Sequence, residues 1–223
     1  LLLEVVQYLQ RKNIPFLLVL TGLPTLFPNL VNARTYAERM FHVLSIDRLS
    51  ADETEEAIKN PVHHSNCPVK FSSIAISQII EYSGGYPYFV QFICKEAFDS
   101  YIQQLRLKIE YPSVFLDEIV RKLDTDFYAG RWGSLTDRQR DLLNVSANLP
   151  TAEEEFSLQD IAEFSKQLFS KPFTVSHVNQ LLGKLTEYGL IYKNRHGKYS
   201  FAVPMMPQFI KRQNQDVSPF YDL

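Results

Sequence analysis

The spacing of apolar residues predicts one helix and two strands in the first 49 positions. Residues 2–9 carry apolar side chains at helical spacing, on one face of a helix. A continuous apolar run follows at residues 16–20, after the breaker Pro15, and a second apolar-rich run at residues 41–46. Runs of this length suit strands in the interior of a parallel sheet, where both faces are covered. The pattern therefore predicts the αβ part of a parallel sheet, which is incomplete by itself.

Residues 50–133 show only helical patterns, separated by caps and breakers. Ser50-Ala51-Asp52-Glu53 has the composition of a capping box, in which the first and last side chains satisfy each other's backbone amides. We expect Pro61 to stop the helix that begins there. Gly84 is placed to end a second helix and Pro87 to begin a third, and a fourth pattern follows Pro112. These signals predict a small helical bundle.

The last part of the chain combines helices with a hairpin. Thr136 and Ser157 are the expected N-caps of two successive helices, and a third helix is expected to start at Thr174 or Val175. Two apolar-rich segments, 190–193 and 198–203, then flank a turn that contains Gly197. Three helices followed by a hairpin predict a winged helix-turn-helix over residues 134–213, with residues 214–223 as a tail.

Composition and charge narrow the environment. The 223 residues include 23 basic and 25 acidic side chains, a net charge of −2, so no global attraction to nucleic acid is expected. Two cysteines, Cys67 and Cys94, make no disulfide framework and suit a reducing, cytoplasmic compartment. The longest apolar stretch, residues 14–20, is too short to span a bilayer. We expect no membrane partner.

The order of these elements resembles the AAA+ class of P-loop ATPases. Within that class it is similar to the origin-recognition-like branch and to the signalling (STAND) ATPases. The segments that carry the resemblance are Leu20-Thr21-Gly22-Leu23-Pro24, Tyr36-Ala37-Glu38-Arg39, Ser83-Gly84-Gly85-Tyr86-Pro87-Tyr88-Phe89-Val90-Gln91 and Phe201-Ala202-Val203-Pro204. The implied fold is mainly α (α+β). Residues 1–49 would be the remnant of a parallel αβα nucleotide domain, residues 50–133 a helical lid and residues 134–213 the winged helix.

The resemblance implies two residues that would act on ATP. Thr21 stands at the position of sensor 1, which helps to place the attacking water; alternatively it only caps the turn before Gly22. Arg39 stands at the position of the arginine finger, whose guanidinium stabilises charge on a transferring phosphoryl group. The alternative is a surface salt bridge of Arg39 with Glu38 or Asp47.

Nucleotide contacts of the lid are implied for Gly85, Tyr86 and Pro87. This stretch resembles the Gly-x-Pro motif of the signalling branch and lacks the sensor 2 arginine, which favours a slow switch over fast hydrolysis. Alternatively it is only a glycine C-cap followed by a proline helix start. ATP or ADP with Mg²⁺ would be the cofactor of the parent protein. No G-x-x-x-x-G-K-S/T loop occurs in the chain, so we expect a C-terminal portion that binds no nucleotide and is inactive by itself.

The winged module offers polar side chains for duplex DNA. The candidates on its third helix are Ser176, His177, Asn179, Gln180 and Lys184. Asn and Gln can contact adenine bidentately in the major groove, and Arg195 and Lys198 on the wing could bind phosphates. Winged helices also bind proteins, so a protein partner remains the alternative.

Two further functional classes compete with the switch. The chain could be a DNA-binding regulator with a degenerate ATPase half, or a protein-interaction scaffold. Two unpaired strands would also expose edges on which a second copy could pair. His63, His64 and Cys67 lack a fourth ligand at a suitable spacing, so we predict an exposed loop there and no metal site.

Overall fold

The computed structural model describes residues 2–65, 67 and 69–216, and within them the chain is mainly helical. The α-helices are α1 (Leu2–Arg11), α2 (Leu26–Ala33), α3 (Ala51–His64), α4 (Ser73–Ser83), α5 (Pro87–Arg106), α6 (Leu116–Leu123), α7 (Gly130–Gly133), α8 (Asp137–Ala147), α9 (Leu158–Leu168), α10 (Val175–Glu187) and α11 (Met206–Asp216). A 3-10 helix spans Thr35–Arg39 and a π-helix spans Asp124–Ala129. Strands β1 (Ile191–Arg195) and β2 (Lys198–Phe201) form the one sheet of the described residues.

In residues 2–49 the structure differs from the predicted sheet remnant. Helix α1 forms as predicted, but residues 14–23 and 41–49 are neither helix nor strand. The prediction of two strands at 16–20 and 41–46 is therefore wrong for this chain. A parallel strand forms only when a neighbouring strand accepts and donates its backbone hydrogen bonds, and these segments have no such neighbour among the described residues.

The helical bundle, residues 51–123, follows its predicted caps. Ser50 and Glu53 form the capping box, and Gly84 ends α4 in the left-handed conformation, with φ +56°. Pro87 is the first residue of α5. The expectation that Pro61 stops α3 is wrong, because the helix continues to His64. His63 and His64 therefore lie in a helix and not in the predicted loop.

The core of the bundle consists of aliphatic side chains from all four helices. The buried members are Ile58, Ile76, Ile79, Val90, Ile93, Ala97, Leu116 and Ile119. On α4, α5 and α6 they are spaced three or four residues apart, as expected for the apolar face of an amphipathic helix. Local caps and periodicity therefore account for this unit.

The C-terminal module, residues 134–213, contains the three predicted helices and the hairpin. The side chains of Thr136, Ser157 and Thr174 each accept a hydrogen bond from a backbone amide of the helix that follows. Strands β1 and β2 are antiparallel, with a bulge between Lys193 and Arg195. Outside the hairpin, Phe156 forms an isolated antiparallel bridge to Tyr199 of β2, in which the two backbones exchange hydrogen bonds at 2.9 and 2.8 Å.

Helix α11 completes this module and was missed by the sequence analysis. Its apolar residues Met206, Phe209 and Ile210 are buried in the same core as α8, α9 and α10. Their i, i+3, i+4 spacing is a helix signal, which the adjacent prolines Pro204 and Pro207 obscured. Tyr128 of the π-helix stacks on Phe209, with 4.6 Å between ring centroids. The core of the module therefore extends into the segment that joins it to the bundle.

None of the helices described here is both long and apolar enough to cross a bilayer.

Candidate functional site

The predicted DNA-contacting residues of α10 lie together on one surface. Ser176, Asn179, Gln180 and Lys184 are exposed, whereas Val178, Leu181, Leu182 and Leu185 on the opposite face are buried in the core. His177 is half-buried, with its ring 5.6 Å from that of Phe173. Helix α10 therefore presents a polar face of amide, hydroxyl and ammonium groups.

The turn before α10 is held in place by Arg138 of α8. The guanidinium of Arg138 lies 3.8 Å from the ring centroid of Phe173, a cation–π contact. Its Nη2 also donates to the backbone oxygen of Lys171 at 3.1 Å. The hydroxyl of Thr174 accepts from the amide of His177 at 3.3 Å. These contacts set the direction of the first turn of α10.

Two cations of the hairpin, Arg195 and Lys198, are paired with carboxylates. Arg195 Nε donates to Glu155 Oε2 at 2.8 Å, and Asn194 Nδ2 donates to the other oxygen of Glu155. Lys198 Nζ lies 3.8 Å from Asp160 Oδ2. Both side chains of the hairpin that were predicted to bind phosphate are thus partly neutralised in this structure.

Asp160 also serves as the third residue of a capping box. Burial would raise the pKa of its carboxyl, but the hydrogen bonds from the amide and hydroxyl of Ser157 outweigh burial and leave that pKa below its usual value. The carboxylate is therefore held ionised beside Lys198.

An apolar cavity of about 420 Å³ lies between α3 and α5, and Pro87 is part of its wall. Its other lining residues include Leu49, Ile58, Val62, Val90, Cys94 and Phe98. Burial raises the pKa of the Cys94 thiol to about 11, so this thiol stays protonated at neutral pH. The volume falls within the range of small-molecule pockets.

The other two predicted nucleotide contacts lie differently. Leu49 N donates to the backbone oxygen of Gly85 at 2.8 Å, so the backbones of the two residues are in contact. Tyr86 is the N-cap residue of α5 and its ring lies 6.1 Å from that of Phe89. Of the three predicted contacts, only Pro87 lines the cavity.

Thr21 and Arg39 are both exposed. Thr21 lies in a segment without regular structure, and Arg39 ends the 3-10 helix. In residues 2–65 and 69–216 as described, neither side chain makes a hydrogen bond or an ion pair, so Arg39 pairs with neither Glu38 nor Asp47 there. Two other arginines of this region form ion pairs, Arg34 with Glu4 at 3.1 Å and Arg48 with Glu153 at 3.5 Å.

A polar cleft between the bundle and α11 was not anticipated. Arg212 of α11 donates to both oxygens of Asp124, at 2.8 and 2.6 Å, and the Asp124 side chain is only 8% exposed. Tyr82 donates to Asp117 in the same cleft, and this hydrogen bond raises the pKa of Tyr82 to about 12. No sequence signal could have found the ion pair, because its partners are 88 residues apart.

One family model matches the chain, over residues 125–210, and its description is a domain of unknown function (DUF8462). The match covers less than half of the chain. It begins inside the π-helix and ends in α11, so it coincides with the core of the C-terminal module. No curated protein matches the chain.

Proposed function

We propose that this chain is the regulatory portion of an AAA+-type nucleotide switch, with a winged helix that binds duplex DNA. In this proposal the bundle is the lid of the nucleotide site and residues 134–213 are the winged helix. The winged-helix assignment is supported by the order of the elements, which is three capped helices followed by a hairpin, with Phe156 bridged to that hairpin. The chain would not hydrolyse ATP by itself, since it contains no phosphate loop.

The exposed face of α10 is the observation that carries DNA binding. In helix-turn-helix proteins the corresponding helix enters the major groove and reads base edges. Asn179 and Gln180 have the donor and acceptor pair that an adenine edge requires, and Lys184 supplies a charge for a phosphate. Arg138 and Thr174 fix the end of α10 that would enter the groove first.

The lid assignment is supported by the position of Pro87. A nucleobase is flat and mostly apolar, and the cavity beside Pro87 offers apolar walls of suitable size. Phosphate and Mg²⁺ would be held elsewhere, because no group of three His, Cys, Asp or Glu residues in the described part of the chain could hold a metal ion. Arg39 would reach a nucleotide bound to a neighbouring subunit.

The experiment that tests DNA binding is fluorescence anisotropy with a random-sequence duplex at several salt concentrations. We expect affinity to fall steeply with salt and the logarithmic slope to decrease by about 1 for each phosphate contact removed, as in Lys184→Gln. Lys166→Gln on α9 is the matched control, since it removes the same charge from outside the α10 face. Binding without salt dependence, or an equal loss in the control, would contradict the proposal.

A separate assay addresses the nucleotide half. Purified chain should show no Mg²⁺-dependent ATP turnover above a buffer blank. Turnover that is abolished by Arg39→Ala would show that the chain contains a complete site, and the regulatory assignment would be wrong.

A protein partner is the second candidate, and the pairing of the wing favours it. Glu155 and Asp160 neutralise the wing, which weakens the attraction to phosphates. If the module binds DNA, Glu155→Gln should free Arg195 and raise affinity several-fold, whereas Glu163→Gln on α9 should have a smaller effect. If Glu155→Gln and Glu163→Gln both fail to bind DNA at physiological salt, DNA binding is contradicted and a protein becomes the favoured partner of the α10 face.

A further inference from the structure

We infer that the turn at Gly84 and Gly85 couples the helical bundle to the C-terminal module by direct contact with Met205. This turn links α4 to α5, whereas Met205 lies 120 residues later, just before α11. The inference goes beyond the proposed function, because it requires neither nucleotide nor DNA.

Gly84 leaves room for Met205. A Cβ atom at Gly84 would lie 2.2 Å from the Met205 Sδ and 2.9 Å from its Cε, far inside normal contact distances. Met205 in turn packs against the core of the C-terminal module. The space that a side chain at position 84 would need is therefore occupied by the side chain of Met205, from the C-terminal module.

Gly85 makes the equivalent contact with the segment that enters the bundle. A Cβ atom there would lie 2.1 Å from the backbone oxygen of Leu49, and Leu49 N donates to Gly85 O. Leu49 and Pro87 are both part of the cavity wall. A change in the cavity therefore acts on the same two-residue turn that touches Met205.

Met205 is in a strained conformation that the surrounding contacts maintain. Its φ is +54°, a left-handed backbone conformation that costs free energy for any residue with a Cβ atom. The preceding residue, Pro204, accepts a hydrogen bond from Tyr128 at 2.7 Å, and the following residue, Met206, is fully buried. Strain at this position indicates that the backbone is held where the turn requires it.

The ion pair of Asp124 with Arg212 closes the other side of the same junction. It joins the π-helix, which continues directly from α6 of the bundle, to the second half of α11. Helix α11 is thus attached to the bundle just before its first residue, at Met205, and again at Arg212. With two attachments, a shift of the turn would rotate or displace α11 together with the module, and would not simply break one contact.

Hydrogen exchange on the full chain tests this coupling. In Gly84→Ala the Met205 side chain must move, so we expect the amides of Phe209 and Ile210 in α11 to exchange about threefold faster or more relative to those of α9. In a chain that already carries Met205→Ala, adding Gly84→Ala should not accelerate the exchange of these α11 amides. The reason is that an alanine at position 205 would lack the Sδ, Cε and Cγ atoms that meet the new Cβ.

Gly189→Ala is the matched control for backbone strain. Gly189 also has a positive φ, +69°, but a Cβ atom there would meet nothing within 4 Å. We expect its α11 amides to exchange no faster, relative to α9, than in the original chain. The inference would be overturned if Gly189→Ala accelerated exchange of the α11 amides as much as Gly84→Ala does. It would also be overturned if Gly84→Ala accelerated that exchange equally in a chain that carries Met205→Ala.

A reciprocal measurement covers the case in which Gly84→Ala does not fold. Met205→Ala alone changes only the C-terminal side, yet coupling requires faster exchange of the Tyr86 amide, which donates to Ser83 O in the turn. Unchanged exchange at Tyr86 would overturn the inference independently.

Discussion

Residues 2–49 contain a larger share of apolar residues than residues 134–213, yet far fewer of their apolar side chains are buried. In the first region Leu17, Val19, Leu44 and Ile46 are exposed, Leu17 by 84%. In the second, Leu142, Leu143, Leu182 and Leu185 are completely buried. The difference teaches that an apolar run specifies a strand only when the chain also supplies neighbours for its backbone and side chains.

The largest expected difference comes from one substitution made in both regions. Leu182→Ala should lower the free energy of unfolding by about 2–5 kcal/mol, because it removes buried methyl groups and leaves a cavity. Leu17→Ala should change it by less than about 0.5 kcal/mol, because that side chain is exposed. Urea denaturation of both variants measures this contrast. Equal losses would show that residues 14–20 are packed in solution.

Charge pairs should sharpen the contrast at a smaller scale. Asp124→Asn leaves Arg212 without its carboxylate in a mostly buried position, and we expect a loss of about 1–3 kcal/mol in urea denaturation. Arg34→Gln breaks the exposed pair with Glu4 and should leave the denaturation midpoint unchanged. A shift of the midpoint in Arg34→Gln would contradict the view that the first region contributes little.

Helix caps allow a third matched test. Thr174→Ala removes the hydroxyl that accepts from His177 N, so a loss of about 1 kcal/mol is expected. Thr25 precedes α2 at the same position but makes no side-chain hydrogen bond to the helix, so Thr25→Ala should have no effect. Thermal denaturation followed by circular dichroism compares the two. The comparison fails if Thr25→Ala is as destabilising as Thr174→Ala.

The smallest effect should appear only at alkaline pH. The hydrogen bond to Asp117 raises the pKa of Tyr82 from 10 to about 12, so its stabilising contribution is complete below pH 10 and is lost as pH rises through 12. Tyr82→Phe should therefore lose less stability than the original chain over that interval. Denaturation midpoints at several pH values give the difference, with Tyr8→Phe in the first region as the control. A parallel decline in the Tyr82→Phe variant and the original chain would contradict the assignment.

Much of the fold could be predicted because its signals are local. The capping residues Ser50, Thr136, Ser157 and Thr174 each begin a helix where predicted, and the hairpin turns around Gly197. A cap acts through residues two or three positions away, so the sequence contains the whole interaction. The exposure of the α10 face follows from the same kind of periodic pattern.

The parts that could not be predicted depend on distant residues. Neither the pair of Asp124 with Arg212 nor the contact of Gly84 with Met205 has a signal in nearby sequence. The pairing of Arg195 with Glu155, which changes the electrostatics of the hairpin, also spans 40 residues. Nucleotide and DNA binding stay proposals that the experiments above would test.

The sequence by itself determined where most helices begin, where the hairpin turns and which face of α10 is polar, since each depends on residues within a few positions. Tertiary structure decided that residues 16–20 and 41–46 form no strands, because strand formation needs a partner backbone. It also decided the role of Gly84 and Gly85. Both glycines suit a turn in the sequence, but only the packed chain shows Leu49 and Met205 occupying the space that their side chains would need.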